Sequence, residues 1–277
     1  MITVNSLSGG KTSSYMAAHY KADYNLFALV RIEDRRCTPN DKKLVQIISD
    51  KIGMEFIATA ESDLTLTAVL DLEQLIGKEI IWLTGQTFEQ VIFKKKALPN
   101  MMWRFCTTEM KLRPIFDYCN DVLCEFVDMN LGIRYDEKER GFDRKTGIKK
   151  EEKPFKTIVG EHINGNNKWA EIIWRNTNYP LITDKVNHWH VNEWSESSGI
   201  IFPPDSNCVG CFWKPPMQLR KNWENEPKKM QWFSNMEKQL IRTFKKEGTY
   251  EQFKQINIQQ DFIFGTGAGC TSGFCTN

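Results

Sequence analysis

The chain has 277 residues, with 37 Lys and Arg against 35 Asp and Glu for a net charge of +2. That near-neutral balance gives no global argument for nucleic-acid binding, and no apolar run is long enough to span a bilayer. Hydrophobic content of 41% and charged content of 26% suit a packed globular core, and the expectation is a cytoplasmic protein with no membrane partner.

In chain order, Ile2, Val4 and Leu7 read as a first strand, and Ser8-Gly9-Gly10-Lys11-Thr12-Ser13 follows directly. A glycine pair here lets backbone N–H groups close around an anion at a helix N-terminus, where the helix dipole also favours negative charge. Lys11 adds a mobile cation, the hydroxyls add donors, and Ser13 and Ser14 are candidate caps for a helix through Tyr15 to Ala18. A Walker A loop needs a glycine five positions before Gly10, where Asn5 stands. The pattern then predicts a strand over 26–32 ending in Glu33-Asp34, a helix over 41–52 with Leu44, Ile47, Ile48 and Ile52 on one face, and a strand over 56–59. Helices are expected over 88–96 and 110–118, the second with Pro114 in its first turn or kinking it, and a strand over 126–133.

Strands alternating with helices predict an α/β fold with a doubly wound parallel sheet. Ligands in such sheets sit beyond the carboxyl ends of the strands, so one crevice is expected to hold the glycine loop, Glu33-Asp34 and Gly132-Ile133-Arg134. The expected division is a nucleotide-binding domain over 1–140, a charged loop or insertion over 141–168, and a C-terminal region over 169–277. That last region holds seven of the nine tryptophans (Trp169, Trp174, Trp189, Trp194, Trp213, Trp223, Trp232), which suggests an aromatic core of its own. Within it, a helix is predicted over 186–194, a Pro- and Cys-containing turn region over 200–216, a helix over 227–246, and a glycine-rich tail after 263.

Eight cysteines in a reducing compartment do not form disulfides. The spacings Cys208-x-x-Cys211 and Cys270-x-x-x-x-Cys275 point instead to metal, cluster or redox chemistry. Cys37, Cys119 and Cys124 lack such spacing and read as small buried hydrophobes. His188 and His190 flank Trp189 and read as part of a surface helix rather than as ligands. In Gly132-x-Arg134-x-Asp136-Glu137-x-x-Arg140, the arginines suit a bidentate clamp on phosphate or sulfate oxygens. Asp136 either holds an arginine or binds a magnesium ion. The competing interpretation of this segment is a loop of solvated ion pairs.

Together these segments resemble the adenine nucleotide alpha-hydrolase (PP-loop) superfamily, and within it the phosphoadenosine phosphosulfate (PAPS) reductase-like family. Ser8-Gly9-Gly10-x-x-Ser13 is similar to its pyrophosphate loop, and 132–140 to the segment that faces the nucleotide phosphates. The stretch Phe105-Cys106 to Lys111-Leu112-Arg113-Pro114 resembles the Cys-Cys-x-x-x-Lys-x-x-Pro of adenylyl-sulfate reductases, with Phe105 in place of one cysteine. The resemblance implies an adenine nucleotide (ATP, or an adenylyl sulfate with or without a 3′-phosphate) held by Ser8, Gly9, Gly10, Lys11, Thr12, Ser13, Gly132 and Asp136, with Glu33 or Asp34 near the adenosine. It implies that Lys111, Arg134 and Arg140 neutralise charge on phosphate or sulfate. It also implies a [4Fe-4S] cluster or a zinc ion on Cys106, Cys208 and Cys211, with Cys270 or Cys275 as a fourth ligand or an iron left open. Cys275 is alternatively a tail nucleophile, although the tail lacks the reductases' Gly-Leu-His signature. Three activities follow: reduction of an adenylyl sulfate with a thiol reductant, ATP-dependent sulfur transfer to nucleic acid from a sulfur-donor protein, or a non-catalytic zinc-stabilised nucleotide-binding module.

Overall fold

The computed structural model describes residues 1–162, 164–205 and 208–256. Five strands form an all-parallel central sheet: β1 (Ile2–Leu7), β2 (Tyr24–Ala28), β5 (Ile80–Leu83), β6 (Val127–Leu131) and β9 (Arg175–Asn178), in the order β5-β2-β1-β6-β9. Two short strands, β3 (Arg31–Ile32) and β4 (Ala58–Thr59), pair antiparallel as a separate ribbon. A third pair, β7 (Phe155–Glu161) and β8 (Asn167–Ile172), makes an antiparallel hairpin.

Alternation along β2 explains why helices cover both faces of the sheet. Phe27 packs with Leu7, Met16, Val69 and Trp82, which belong to β1, β5 and the helices α1 (Lys11–His19) and α3 (Asp63–Ile76). Its neighbours Leu26 and Ala28 pack on the opposite face with Val4, Met129, Ile115 and Phe116, the last two from α6 (Arg113–Asp117). Successive strand side chains point to opposite faces, so a strand buried on both sides reads as a continuous apolar run. The arrangement is compatible with a Rossmann-like fold.

Local chemistry sets the helix boundaries. Asp41 caps α2 (Lys42–Ile52) through Lys43 N and Leu44 N, and Gly53 ends it in the left-handed region. Thr87 and Gln90 form a reciprocal capping box on α4 (Phe88–Lys95). Residues 105–123 are helical throughout, but α5 (Phe105–Thr107) and α6 alternate with wide π turns at Thr108–Leu112 and Tyr118–Leu123. The remaining helices are α7 (Pro180–Thr183), α8 (His188–Ser197), α9 (Pro216–Asn225), α10 (Pro227–Leu240) and α11 (Tyr250–Lys254).

Several expectations are corrected. The strand expected over 26–32 breaks after Ala28 and resumes as β3 in a different sheet. α1 starts at Lys11 with Gly10 as its cap residue, so Ser13 and Ser14 lie inside the helix, and Ser13 Oγ donates to Gly10 O. The segment 141–168 is not simply a loop, because β7 and the start of β8 fall within it. The sheet also does not end at residue 140, since β9 completes it beyond β6. The aromatic residues of the C-terminal region do not form a core of their own. Trp223, Trp232, Phe233, Phe244 and Tyr250 share one cluster with Val30, Ile32, Phe88 and Phe105. Cys37 and Cys119 are buried as expected, but Cys124 is exposed. Among the described residues, no helix is long and apolar enough to cross a membrane.

Candidate functional site

The direction of winding reverses between β1 and β6, which are neighbours in the sheet although β2 and β5 intervene in sequence. At such a switch point the loops leaving the two strands diverge and open a crevice. Here those loops are 8–10 after β1 and 132–134 after β6. They meet closely: a Cβ added to Gly132 would lie 3.0 Å from Ser13 Cα and 3.2 Å from Ser13 N. Gly9 takes φ +72°, and a Cβ there would strike Thr65. Gly9 is therefore required by its backbone conformation, and Gly132 permits the close approach of the two segments. The loop is braced by Ser13 Oγ, which lies 3.1 Å from Ser8 Oγ and accepts a hydrogen bond from Ser8 N.

A cavity of about 330 Å³ opens at this point. The loop residues Ser8, Gly10, Lys11, Thr12 and Ser13 line it, together with Gly132, Arg134 and Arg140. Thr107 and Lys111 come from the 105–123 helical stretch, and His188, Asn192 and Glu196 from α8. Arg134 is held tightly: its Nη1 donates to Thr12 Oγ1 at 3.0 Å, and its guanidinium pairs with Asp136 and Glu137. Arg140 pairs with Glu137 from the other side at 3.5 Å. Burial pushes the Glu137 carboxyl up, against the pull of both arginines. Lys111 Nζ donates to Glu61 Oε1 at 2.8 Å. Across the cavity, Lys11 Nζ reaches Asn192 Oδ1 at 3.5 Å, and Asn192 Nδ2 is 3.0 Å from His188 Nδ1. The cavity thus sets Lys11 and three ion-paired cations, Lys111, Arg134 and Arg140, around the glycine loop, whose backbone N–H groups suit an anion.

The structure brings most of the expected nucleotide residues together and separates others. Asp136 is largely turned to solvent, holds Arg134 and does not line the cavity. Glu33 and Asp34 line a different hollow with Glu89, Phe93 and Trp232. The break after Ala28 carries them away from the switch point. Asp34 is held below its usual range by its hydrogen bond and ion pair with Arg36. His188 lies exposed on a helix, as read from sequence, and that helix, α8, also borders the cavity. Glu61, Asn192 and Glu196 belong to no sequence motif, and Thr107 and Glu137 stand in motif segments without a role assigned from sequence. Sequence offers no signal for which face of α8 meets the glycine loop, or for a partner 50 residues from Lys111.

The cysteines lie behind one wall. Cys106 directly precedes Thr107, and Cys208 to Cys211 forms a tight turn closed by Cys211 N donating to Cys208 O at 3.0 Å. Val209 N donates to Ala60 O at 2.8 Å, and Asn222 Nδ2 donates to Val209 O at 2.7 Å. The buried Tyr250 hydroxyl donates to Gly210 O at 2.8 Å. Burial, followed by the charges of Cys211, Glu237, Cys208 and Cys106, pushes that hydroxyl well above its ordinary value. All three thiols therefore lie within electrostatic reach of one buried ring. The donor type suits zinc or an iron–sulfur cluster. Even so, among the described residues no group of three or more His, Cys, Asp or Glu side chains is arranged to hold a metal ion. Cys270 and Cys275 lie outside the described residues.

No protein-family model, curated protein or solved structure matches the chain.

Proposed function

We propose that the protein is a nucleotide-dependent enzyme of sulfur chemistry, of the PAPS reductase-like, PP-loop type, acting on an adenylyl sulfate. The observation that carries this reading is the cavity at the β1/β6 switch point. There the glycine loop, Lys11, Lys111, Arg134 and Arg140 converge with Thr107, the residue that follows Cys106 in the chain. The volume, about 330 Å³, suits a small-molecule ligand of nucleotide size. In this reading the loop N–H groups and Lys11 bind the phosphates. Arg134, held by Thr12, Asp136 and Glu137, sets its positive charge beside the phosphate or sulfate, and Arg140 and Lys111 neutralise charge that develops there. The resemblance assigns Cys106, Cys208 and Cys211, with Cys270 or Cys275, to zinc or a cluster, but the three described cysteines are not gathered as a ligand set, and the reading does not depend on that group. Such a group supplies either a structural crosslink or a reservoir of electrons. Incubation with adenylyl sulfate or its 3′-phosphate and a dithiol tests the proposal. Sulfite release supports it, and its absence with both donors under anaerobic conditions refutes it.

One observation favours ATP-dependent sulfur transfer to nucleic acid as a second reading. The β7/β8 hairpin exposes Trp169 and Ile158 on one face, with Lys156 Nζ 5.7 Å from the Trp169 ring centre. An exposed aromatic beside cations is a stacking platform for unpaired bases. ATP-dependent pyrophosphate or AMP release, stimulated by RNA or DNA, would select this reading over the first.

A further inference from the structure

Glu61 is fully buried, lies two residues after β4 and belongs to no sequence motif. Its Oε1 accepts from Lys111 Nζ, while its Oε2 is enclosed with no hydrogen-bond partner among the described residues. An enclosed carboxylate oxygen without a partner is costly, and a buried ion pair rarely stabilises more than an apolar pair of the same volume. Fold stability alone therefore does not account for a carboxylate here. The backbone around it is pinned. Glu61 N donates to Thr59 Oγ1, Ala60 N donates to Val30 O, and Glu61 O accepts from the buried Lys229 Nζ at 2.6 Å. The adjacent Ala60 O holds Val209 N of the Cys208–Cys211 turn. Lys111 sits in the wide π turn Thr108–Leu112, a distortion that often re-aims a functional side chain. Lys111 lines the cavity, and its ammonium is paired with Glu61 Oε1.

We propose that Glu61 is the positioning residue for Lys111, an immobile carboxylate that fixes the ammonium at the cavity wall between the glycine loop and the cysteine turn, where it meets the bound anion. This rests on reading the cavity as an anion site. A lysine on four rotatable bonds otherwise loses rotamer freedom on every binding event. Tethering it beforehand removes that cost and aims the charge. Glu61 does not touch the anion and acts only through Lys111.

The test is a double-mutant cycle of Glu61→Gln and Lys111→Gln, with inorganic pyrophosphate as the probe and calorimetric affinity as the readout. Glu61→Gln is expected to weaken pyrophosphate binding about tenfold. The double variant is expected to bind no more weakly than Lys111→Gln alone, because the effect of Glu61 vanishes without its partner. A purely structural role would instead lower the melting temperature and give additive losses. Unchanged binding by a folded Glu61→Gln variant, or additive losses, overturns the positioning role alone. Absence of pyrophosphate binding by the wild-type protein overturns the anion site itself, and the positioning role with it. Should Glu61→Gln not fold, amine labelling of the wild-type protein gives the second measurement. Pyrophosphate must slow modification of Lys111 as well as Lys11, and an unaffected Lys111 overturns the proposal.

Discussion

Gly132 is the residue at which fold and site are least separable. A methyl group there would press on the Ser13 backbone at 3.0 Å, and backbone inside a helix turn has little room to retreat. Gly132→Ala is expected to cost about 1–3 kcal/mol through overpacking and to distort the anion loop at the same time. Chemical denaturation and pyrophosphate affinity should therefore both fall, whereas stability loss with unchanged affinity would separate the loop from the site. A second residue sets a pH dependence. The Glu237 carboxyl, buried and accepting from Phe244 N and Tyr250 N, is raised from about 4.5 to about 6, mainly by burial. The folded protein then binds this proton more tightly than the unfolded chain. Its contribution is fully present below about pH 4.5 and is lost as pH rises through about 6, a fall of about 2 kcal/mol at ~1.36 kcal/mol per unit. Urea melts at pH 4.5 and 7 should show this fall in the wild type, and a difference smaller by that amount in Glu237→Gln. The glycines were legible in sequence because their demand is local. The Glu237 acceptors, like the Glu61–Lys111 pair, were not, since their partners come from elsewhere in the chain.

At the scale of elements, the turn carrying Cys208 and Cys211 is held from outside by α9 and α11. Asn222 of α9 grips Val209 O, and Tyr250 of α11 grips Gly210 O. Tyr250→Phe keeps the buried ring and removes one hydrogen bond, leaving Gly210 O without that donor. The expected cost is about 1–3 kcal/mol, and if the turn's cysteines hold a metal as proposed, the loosened turn should also lower the metal content per chain in anaerobic preparations. A melting shift with unchanged metal content would make the bond purely structural. The β7/β8 hairpin gives a contrasting case. Trp169 is half exposed, so Trp169→Ala should leave stability within about 0.5 kcal/mol. If the hairpin binds unpaired nucleic acid, the same change should weaken a single-stranded RNA or DNA probe by about fivefold or more, since stacking on an aromatic is worth ~1–3 kcal/mol per base. Sequence reading identified elements with strong periodicity, such as α2 and β6, to within a few residues. It left α3 and β5 unassigned and treated the region around β7 as a loop. Trp82 on β5 and Val69 on α3 are buried by each other's elements and by Phe27, a tertiary arrangement that local pattern does not encode.

At the scale of the whole molecule, the cavity is built from segments spread from Ser6 to Asp205. The glycine loop belongs to the start of the chain, Arg134 and Arg140 to its middle, and the α8 wall to a region expected to form a separate unit. A ligand filling this space bridges elements from distant parts of the chain, so it should stabilise the entire fold rather than one loop. By linkage, an adenylyl sulfate at one hundred times its dissociation constant adds about 2.7 kcal/mol. At about 2–3 °C per kcal/mol for a chain of this size, the melting temperature should rise by about 5–8 °C. Comparison of ligands locates the source. At the same ligand concentration, pyrophosphate alone should give part of the shift through the loop and Arg134, and the complete nucleotide the remainder through the far wall with His188 and Glu196. Because α8 closes one side, deleting the Asn192 amide with Asn192→Ala should reduce the nucleotide shift while leaving the ligand-free melting temperature within about 1 °C, as expected for an exposed polar contact. Equal shifts for pyrophosphate and nucleotide would mean that only the anion loop binds, and would reduce the molecule to a phosphate-binding fold without a nucleotide site.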